Sequence, residues 1–196
     1  MSISIHALSK SYNGMPVFQK VDLELEEGGI YCLLAPSGAG KTTLFRILMG
    51  LEQADKGEIK GIPRGPIAAV FQEDRLCESF SAFTNVKIVS DRLADQTIIA
   101  HLKQVGLGEA VNQKVSTLSG GQKRRVALVR AILAEKDVIF LDEPFKGLDE
   151  DTKKIVTDYL LSNTADTTVI MVTHDIDEAE SLGAKVLNLK DGKITF

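Results

Sequence analysis

Five short, continuous runs of apolar residues place the strongest constraint on the fold of this 196-residue chain. They lie at residues 30–35, 67–71, 138–141, 168–172 and 185–189. Runs of this kind are typical of parallel strands that are covered on both faces. Helical patterns alternate with them. The clearest are at residues 40–51, 120–134 and 150–162. The alternation predicts an α/β fold, with a parallel sheet at its core and helices covering it.

Two segments before the first apolar run have a different pattern. Residues 2–8 and 17–25 alternate apolar and polar side chains, and Asn13 and Gly14 lie between them. This alternation predicts two antiparallel strands joined by a turn or short loop. We therefore expect a flanking antiparallel β layer beside the parallel sheet.

The interval from about residue 74 to residue 124 has no good strand pattern and predicts helices and loops. We expect a helical subdomain there, inserted into a core formed by residues 1–73 and 125–196. A turn at residues 190–193 predicts a terminal hairpin. The whole chain, residues 1–196, is expected to form a single domain.

Composition narrows the functional classes. Hydrophobic residues make up 44% and charged residues 26%, which is ordinary globular usage. The longest apolar stretches fall far short of the roughly 20 residues of a membrane span, so we expect a soluble, cytoplasmic protein. The net charge of −4 argues against nucleic acid as a partner. We expect Lys123, Arg124 and Arg125 to coat one helix.

A loop that can cradle a polyphosphate follows the apolar run at residues 30–35. Its residues are Ala35, Pro36, Ser37, Gly38, Ala39, Gly40, Lys41, Thr42 and Thr43. The glycines let the backbone wrap phosphates, Lys41 supplies a positive charge, and the Thr42 hydroxyl can ligate Mg²⁺. Ala35 stands where the usual pattern has its first glycine, which should weaken binding only moderately. We predict an ATP or GTP site; the alternative is a glycine-rich turn without ligand.

Two carboxylates, Asp142 and Glu143, follow the apolar run at residues 138–141. An unpaired charge at the end of a buried strand is costly, so we expect Asp142 to face the Mg²⁺ held by Thr42. Glu143 is then left to orient and deprotonate an attacking water. The alternative is that the pair merely begins a turn closed by Pro144.

The segment from Leu118 to Gln122 provides a second candidate anion site. Ser119 is a good N-cap, and Gly120 and Gly121 expose the first N–H groups of a helix. A capped helix start without ligand is the alternative. Together with the two nucleotide motifs, the segment Leu118-Ser119-Gly120-Gly121-Gln122 resembles the signature sequence of the ATP-binding cassette (ABC) family.

This resemblance implies a dimeric ATPase with shared sites. In the family, two ATPase subunits pair head to tail, and each signature sequence closes on ATP held by the other subunit. A separate transmembrane permease is the implied partner, with an extracellular substrate-binding protein as a further possible one. The ATPase would then lie on the inner face of the cell membrane.

Four other residues match family positions individually. Gln72 matches the glutamine that contacts Mg²⁺ and water, and His174 matches the histidine that contacts the γ-phosphate. Asp149 matches the aspartate at the dimer interface, and Tyr12 matches the aromatic residue that stacks on adenine. Tyr12 could instead have a purely structural role, packing in a half-buried strand. His174 could likewise be structural, because it comes just before a predicted helix cap. We assign Asp175 and Glu178 to a capping box.

The segment after Gln72 is a candidate surface for the permease. Leu76, Phe80 and Phe83 provide an apolar floor for a partner's helix, or else pack the helical lobe against the core. Residues 71–76 also look like the corresponding stretch in ATPases of bacterial nitrate, sulfonate and taurine importers, although this match is local.

Other classes with a phosphate loop are disfavoured. A small-molecule kinase or GTPase would not need residues 118–122, and no guanine-reading motif is present. A chromosome-organising ATPase would insert long heptad segments. We predict an ATP-hydrolysing subunit that powers transport through a separate permease by closure of its dimer. An ABC-type ATPase uncoupled from transport, or an ATP-dependent switch module, stays open as an alternative, although Glu143 and His174 favour turnover.

Overall fold

The computed structural model describes residues 2–34, 38–61, 66–190 and 193–195. Ala35, Pro36 and Ser37 of the predicted phosphate loop, and residues 191 and 192 of the predicted hairpin turn, lie outside the described residues.

Strands and helices alternate through most of the described chain. The strands are β1 (Ile3–Tyr12), β2 (Met15–Leu25), β3 (Ile30–Leu34), β4 (Lys56–Lys60), β5 (Ile67–Val70), β6 (Val138–Asp142), β7 (Thr168–Thr173), β8 (Lys185–Lys190) and β9 (Lys193–Thr195). The helices are α1 (Lys41–Leu48), α2 (Ala82–Lys87), α3 (Asp95–Gln104), α4 (Gly120–Leu133), α5 (Glu150–Asn163) and α6 (Ile176–Ser181). Two 3₁₀ helices, Gly108–Ala110 and Val115–Thr117, lie between α3 and α4.

The five apolar runs form the parallel part of a six-stranded sheet with the order β5-β6-β7-β3-β8-β9. Neighbouring strands from β5 to β8 are parallel, whereas β9 pairs with β8 in the antiparallel sense. The α/β fold expected from the alternation of runs and helices is confirmed.

Side chains of the central strands are buried on both faces of this sheet. On β6, Ile139 and Leu141 belong to the apolar cluster under α2 to α6, whereas Val138 and Phe140 belong to the cluster between the sheet and α1. Phe140 meets Phe45 of α1 edge to face, with the ring centroids 5.4 Å apart. Burial on both faces is the reason why these strands have continuous rather than alternating apolar sequences.

The flanking β layer is a three-stranded antiparallel sheet with the order β2-β1-β4. Its third strand, β4, was not predicted, because four of its five side chains are exposed and it has no apolar alternation. Gly57 lets β4 approach β1 closely: a Cβ atom there would lie 2.5 Å from the carbonyl oxygen of His6. Pairing with β1 therefore forms this strand, rather than its own sequence pattern.

Residues 74–124 contain α2, α3, both 3₁₀ helices and the start of α4. Buried residues of this segment, including Val86, Ile98 and Leu102, belong to the same apolar cluster as Ile139 of the sheet. The sequence-based boundary between residues 124 and 125 lies inside α4, which continues across it. None of the helices in the described ranges has both the length and the apolar character that a membrane span needs.

Candidate functional site

Several predicted site residues lie at one edge of the parallel sheet. Gln72 follows β5, Asp142 ends β6, His174 follows β7, and the loop that leads to Lys41 follows β3. These four strands are parallel neighbours in the order β5-β6-β7-β3. Their carboxyl ends therefore meet at the same edge, which is where open α/β sheets bind ligands.

The start of α1 presents Lys41 and Thr42 at this edge. Gly40 is the N-cap of the helix, with φ +92°, and Gly38 has φ +82°. Both values lie in the left-handed region, where a residue with a Cβ is strained. At Gly40 a Cβ would also lie 2.3 Å from Cγ1 of Val17. The backbone thus requires glycine where the chain turns into the helix, and the first N–H groups of α1 can receive an anion.

The Asp142 carboxyl group is half-buried and surrounded by charges of both signs. Burial raises its pKa, and the neighbouring charge of Glu143 raises it further. The positive charges of Arg124, Lys41 and Lys146 oppose this rise. A cation at this position would stabilise the charged form of this partly buried carboxylate.

The available donors fit Mg²⁺. Asp142, Thr42 and Gln72 offer carboxylate, hydroxyl and amide oxygens, which are the ligands that hard cations prefer. Within the described ranges, no group of three or more His, Cys, Asp or Glu residues is arranged to hold a metal ion.

Glu143 and His174 contact each other across the ends of β6 and β7. Nδ1 of His174 lies 3.1 Å from Oε1 and 3.0 Å from Oε2 of Glu143. The hydrogen bond and the charge of Glu143 both raise the pKa of His174. The His174 side chain is 78% exposed, whereas that of Glu143 is 18% exposed. The carboxylate is therefore mostly buried and lies beside a largely exposed imidazole.

The backbone of Glu143 has an unusual conformation. Its φ is +50°, in the left-handed region that residues with a side chain rarely adopt. Its N–H donates to the carbonyl of Val172 on β7, at 2.9 Å. Such strained residues persist where surrounding contacts over-determine them, and they are concentrated at functional sites.

The start of α4 confirms the capping role expected for Ser119. Its Oγ accepts from the N–H of Gln122, and the Gln122 side chain accepts from the N–H of Ser119, which completes a capping box. A Cβ at Gly121 would lie 3.0 Å from the carbonyl oxygen of Gly147, so this glycine permits close packing against the loop before α5. A Cβ at Gly120 would meet open space.

A surface groove of about 510 Å³ brings several predicted residues together. Gln72, Ser119, Gly120, Gly121 and Asp149 all line it. The Asp149 carboxylate also caps α5, accepting from the N–H and the hydroxyl of Thr152 at 2.9 and 3.0 Å. These hydrogen bonds lower the pKa of Asp149.

Tyr12 lies at the end of β1, in the flanking layer. The residue is 45% exposed, its hydroxyl donates to Glu52, and Nζ of Lys10 lies 5.2 Å from the ring centroid. Met15, across the turn to β2, is 72% exposed. Tyr12 is thus a surface aromatic residue and not part of the packed core.

Arg124 contradicts the expectation that the three basic residues after Gln122 coat a helix. Its exposed fraction is 2%, and Lys123 and Arg125 are only partly exposed. Arg124 lies on the same face of α4 as the buried residues Ala127 and Leu128, three and four positions later. That helical spacing is a signal of burial, but the charge of Arg124 masked it.

The predicted capping box of Asp175 and Glu178 is wrong, although Asp175 does cap the helix. Asp175 is the N-cap of α6 and accepts from the N–H of Asp177. The Glu178 carboxylate instead accepts from the hydroxyl of Thr173 at 2.5 Å. Thr173, which sequence reasoning did not single out, also has its hydroxyl 3.5 Å from Oε2 of Glu143.

The candidate permease surface after Gln72 is divided between core and solvent. Leu76 and Phe83 pack against the apolar cluster beneath the helices, as the packing alternative predicted. Phe80 is 43% exposed. Phe80 is therefore the most exposed of the three, whereas Leu76 and Phe83 are partly buried.

The parallel sheet, the glycine-bounded start of α1 and the acidic end of β6 define a nucleotide-binding domain of the phosphate-loop NTPase class. The profile of the ABC transporter family matches residues 18–146. The chain belongs to this family, and it is an ATP-binding, ATP-hydrolysing subunit of the ABC type, as the sequence predicted.

Individual relatives agree with this assignment. The chain is 36% identical over 196 residues to an aliphatic sulfonates import ATP-binding protein SsuB of Delftia acidovorans, covering 98% of this chain and 81% of that protein. It is 40% identical over 200 residues to an SsuB protein of Pseudomonas syringae pv. tomato, covering 98% and 72%. A solved dimeric ATP-binding cassette in a post-hydrolysis state, bound to ADP and Pi, superposes with a TM-score of 0.85 and 28% identity, covering 99% of this chain and 97% of that one.

Proposed function

We propose that this chain hydrolyses ATP at the carboxyl edge of its parallel sheet, with Glu143 as the general base, to power an importer. The contact between Glu143 and His174 carries the proposal, because a carboxylate beside an imidazole is suited to orient and deprotonate a water that attacks a γ-phosphate.

Nucleotide binding is assigned to the start of α1 and the loop before it. The backbone N–H groups of Gly38, Ala39 and Gly40 and the charge of Lys41 would hold the phosphates. Thr43 continues the first turn of α1 beside them. We include Ala35, Pro36 and Ser37 on their sequence alone. The exposed ring of Tyr12 is proposed to stack on the base.

Mg²⁺, when bound, would neutralise phosphate charge, and Thr42, Asp142 and Gln72 are the residues that would hold it. Glu143 would accept a proton from the water, since its carboxylate is near the surface and not sealed in the core. His174, which holds Glu143 through Nδ1, would steady the carboxylate and contact the γ-phosphate. Phosphoryl transfer needs mainly positioning and charge neutralisation, and these residues supply both.

A second copy of the chain would complete the site. The N–H groups at the start of α4, from Ser119 to Gln122, form a second anion-binding end, and they line an open groove with Asp149. The solved cassette that resembles this chain is a dimer bound to ADP and Pi. We infer a head-to-tail dimer in which each α4 closes over ATP held by the other subunit. A heterodimer with a different ATPase would use the same surfaces.

The proposed setting is the inner face of the cell membrane, on a separate permease. The relatives at 36% and 40% identity are import ATP-binding proteins, which favours an importer and, with it, an extracellular substrate-binding protein. Their names also favour an aliphatic sulfonate as cargo. The helical segment, residues 74–124, is the proposed docking subdomain.

The Glu143→Gln substitution tests the hydrolytic assignment. We expect this variant to bind ATP as the wild type does, to accumulate as an ATP-bound dimer and to lose at least about a hundredfold in kcat, since a general base is removed. Glu178→Gln is the matched control, because it makes the same isosteric change at a nearby carboxylate that contacts Thr173. Normal turnover by Glu143→Gln would contradict the proposal.

A separate experiment tests the coupling to transport. The tagged chain is purified from membranes of its native cell, and the co-purifying membrane protein is identified and reconstituted in vesicles. Uptake of an aliphatic sulfonate that needs both ATP and the chain is the expected result. Purification without a permease would favour an ABC-type ATPase that is not coupled to transport.

A further inference from the structure

Arg124 is a buried cation within the site region. Only 2% of its surface is exposed, although it carries a guanidinium group that stays charged. It lies in the second turn of α4, five residues after the N-cap Ser119. Its position between α4 and the sheet gives it access to both strand ends that carry the hydrolytic residues.

The guanidinium connects two separate segments of the chain. One nitrogen, Nη1, donates to the carbonyl of Phe71, the residue before Gln72, and to Oδ1 of Asp74 at 3.0 Å. The other, Nη2, donates to the carbonyl of Asp142 and, at 2.6 Å, to that of Glu143. One side chain thus binds the backbone before Gln72, the carboxylate of Asp74 after it, and the backbone carbonyls of Asp142 and Glu143 at the end of β6.

Stability alone does not account for this arginine. Its Nε atom is buried and has no hydrogen-bond partner among the described residues. Burying a charge and leaving a donor unsatisfied are both unfavourable, and apolar replacements of buried ion pairs are often neutral or stabilising. The planar guanidinium does, however, offer a rigid fork of donors, which no other side chain could supply to two segments at once.

Arg124 also lies on the helix whose start is proposed to face the partner subunit. Ser119 and Gly121 at the start of α4 are the groups proposed to close over the partner's nucleotide. Because α4 is a continuous helix, a shift of its start would also displace Arg124 and the groups it binds at Phe71, Asp74 and Glu143.

We propose that Arg124 is a positioning residue for hydrolysis: its guanidinium sets the backbone of Glu143 relative to Gln72 and ties both to the signature end of α4. Glu143 has φ +50°, and the hydrogen bond from Arg124 to its carbonyl helps to fix this conformation. The inference rests on the proposed function, in which Glu143 acts on the attacking water.

The first test compares Arg124→Gln with Arg130→Gln. Arg130 is the matched control, because it lies on the same helix and donates to the carbonyls of Asp74 and Arg75 but not to those of Asp142 and Glu143. For Arg124→Gln we expect kcat to fall by at least about tenfold, with the Kd for a fluorescent ATP analogue changed by less than about twofold. Arg130→Gln should keep kcat within about threefold of the wild type. Melting temperatures verify that the variants are folded.

A double-substitution cycle separates positioning from a general structural effect. If Arg124 acts through Glu143, Arg124→Gln should lower the residual turnover of the Glu143→Gln variant by less than about twofold. If Arg124 had only a structural role, the fold losses in kcat of the two substitutions would multiply. Arg124→Gln would then lower the turnover of the Glu143→Gln variant by the same factor as it lowers that of the wild type.

Specific results would overturn the positioning role of Arg124. The proposal is overturned if folded Arg124→Gln keeps at least half of the wild-type kcat, or if it loses nucleotide affinity as strongly as kcat. If Arg124→Gln does not fold, Arg124→Lys is judged by the same criteria, since a single ammonium keeps the charge but cannot serve both segments. Failure of both to fold overturns the positioning role in favour of a structural one. If the wild type does not hydrolyse ATP, or if Glu143→Gln turns over normally, the proposed function itself is wrong. These results do not involve Arg124, so failure of the proposed function can be told apart from failure of the positioning role.

Discussion

Nδ1 of His174 lies 3.0 Å from Oε2 of Glu143, although the two residues are 31 positions apart in the chain. They meet because β6 and β7 are parallel neighbours, with Asp142 opposite Val172, so that the residues after both strands share an edge. The imidazole holds the carboxylate at the entrance of the site. We therefore expect Glu143 to affect the pKa of His174, and His174 to affect the rate of ATP hydrolysis.

The titration of His174 should depend on Glu143. The hydrogen bond and the charge of Glu143 raise the pKa of His174 above its ordinary value of 6.5. In Glu143→Gln the negative charge is absent, so we expect this pKa to fall towards 6.5 in an NMR titration. His101 provides the control in the same spectra, because burial lowers its pKa and it does not contact Glu143. Equal His174 values in the two proteins would show that the contact does not form in solution.

Removing the imidazole should impair turnover without affecting folding. We expect His174→Ala to lower kcat by about tenfold or more, since Glu143 and the γ-phosphate lose a positioning group. The melting temperature should change little, because the side chain is 78% exposed. His6→Ala, at an exposed histidine of β1, is the control for phosphate release. Unimpaired turnover in His174→Ala would assign this residue to the helix cap alone.

The proposed shared site predicts complementation between two inactive variants. Lys41→Ala should lose nucleotide binding, whereas Ser119→Glu should place a negative charge where the partner's γ-phosphate approaches. When the two are mixed, a mixed dimer contains one intact site, made from Lys41 of one subunit and Ser119 of the other. We expect ATPase activity to reappear in the mixture. Persistent inactivity would exclude a site completed in trans.

Asp149 should show two separable roles. Asp149→Ala removes the acceptor for Thr152 at the start of α5, and we expect the melting temperature to fall by about 2–4 °C. Asp149→Asn can still cap the helix, so its melting temperature should match the wild type. Reduced ATPase activity in Asp149→Asn would then show that the charged carboxylate acts at the dimer interface. Normal activity would show that Asp149 serves only as the cap of α5.

His101 should make stability depend on pH. Its ring lies against Tyr159, with Nδ1 2.9 Å from the hydroxyl, and burial lowers its pKa below 6.5. The folded state therefore favours the neutral ring. The contribution of neutral His101 to the free energy of unfolding is therefore complete above pH 6.5. It is lost as the pH falls through the pKa that His101 has in the folded protein, which lies below 6.5.

We expect His101→Gln to reduce the loss of melting temperature on acidification below pH 6.5. Tyr159→Phe should retain the pH dependence, because burial rather than the hydroxyl lowers the pKa. An identical pH profile for the wild type and His101→Gln would contradict this account.

The sequence by itself determined the features that depend on residues close together in the chain. The apolar runs predicted the parallel strands, and the helix patterns at residues 40–51, 120–134 and 150–162 match α1, α4 and α5 to within a few residues. The cap at Ser119 was also predictable, because capping is a matter of three consecutive peptide units. The family followed from motifs of this local kind.

Only the tertiary structure decided the features that depend on contacts between segments far apart in the chain. The strand β4 forms because β1 supplies hydrogen-bond partners, and Thr173 contacts Glu178 where the sequence suggested a capping box. Arg124 is buried because segments around 50 positions before it and 18 positions after it converge on its guanidinium. The spacing to Ala127 and Leu128 places Arg124 on the buried face of α4, but a charged side chain predicts exposure, and only the fold brings together the acceptors that satisfy it.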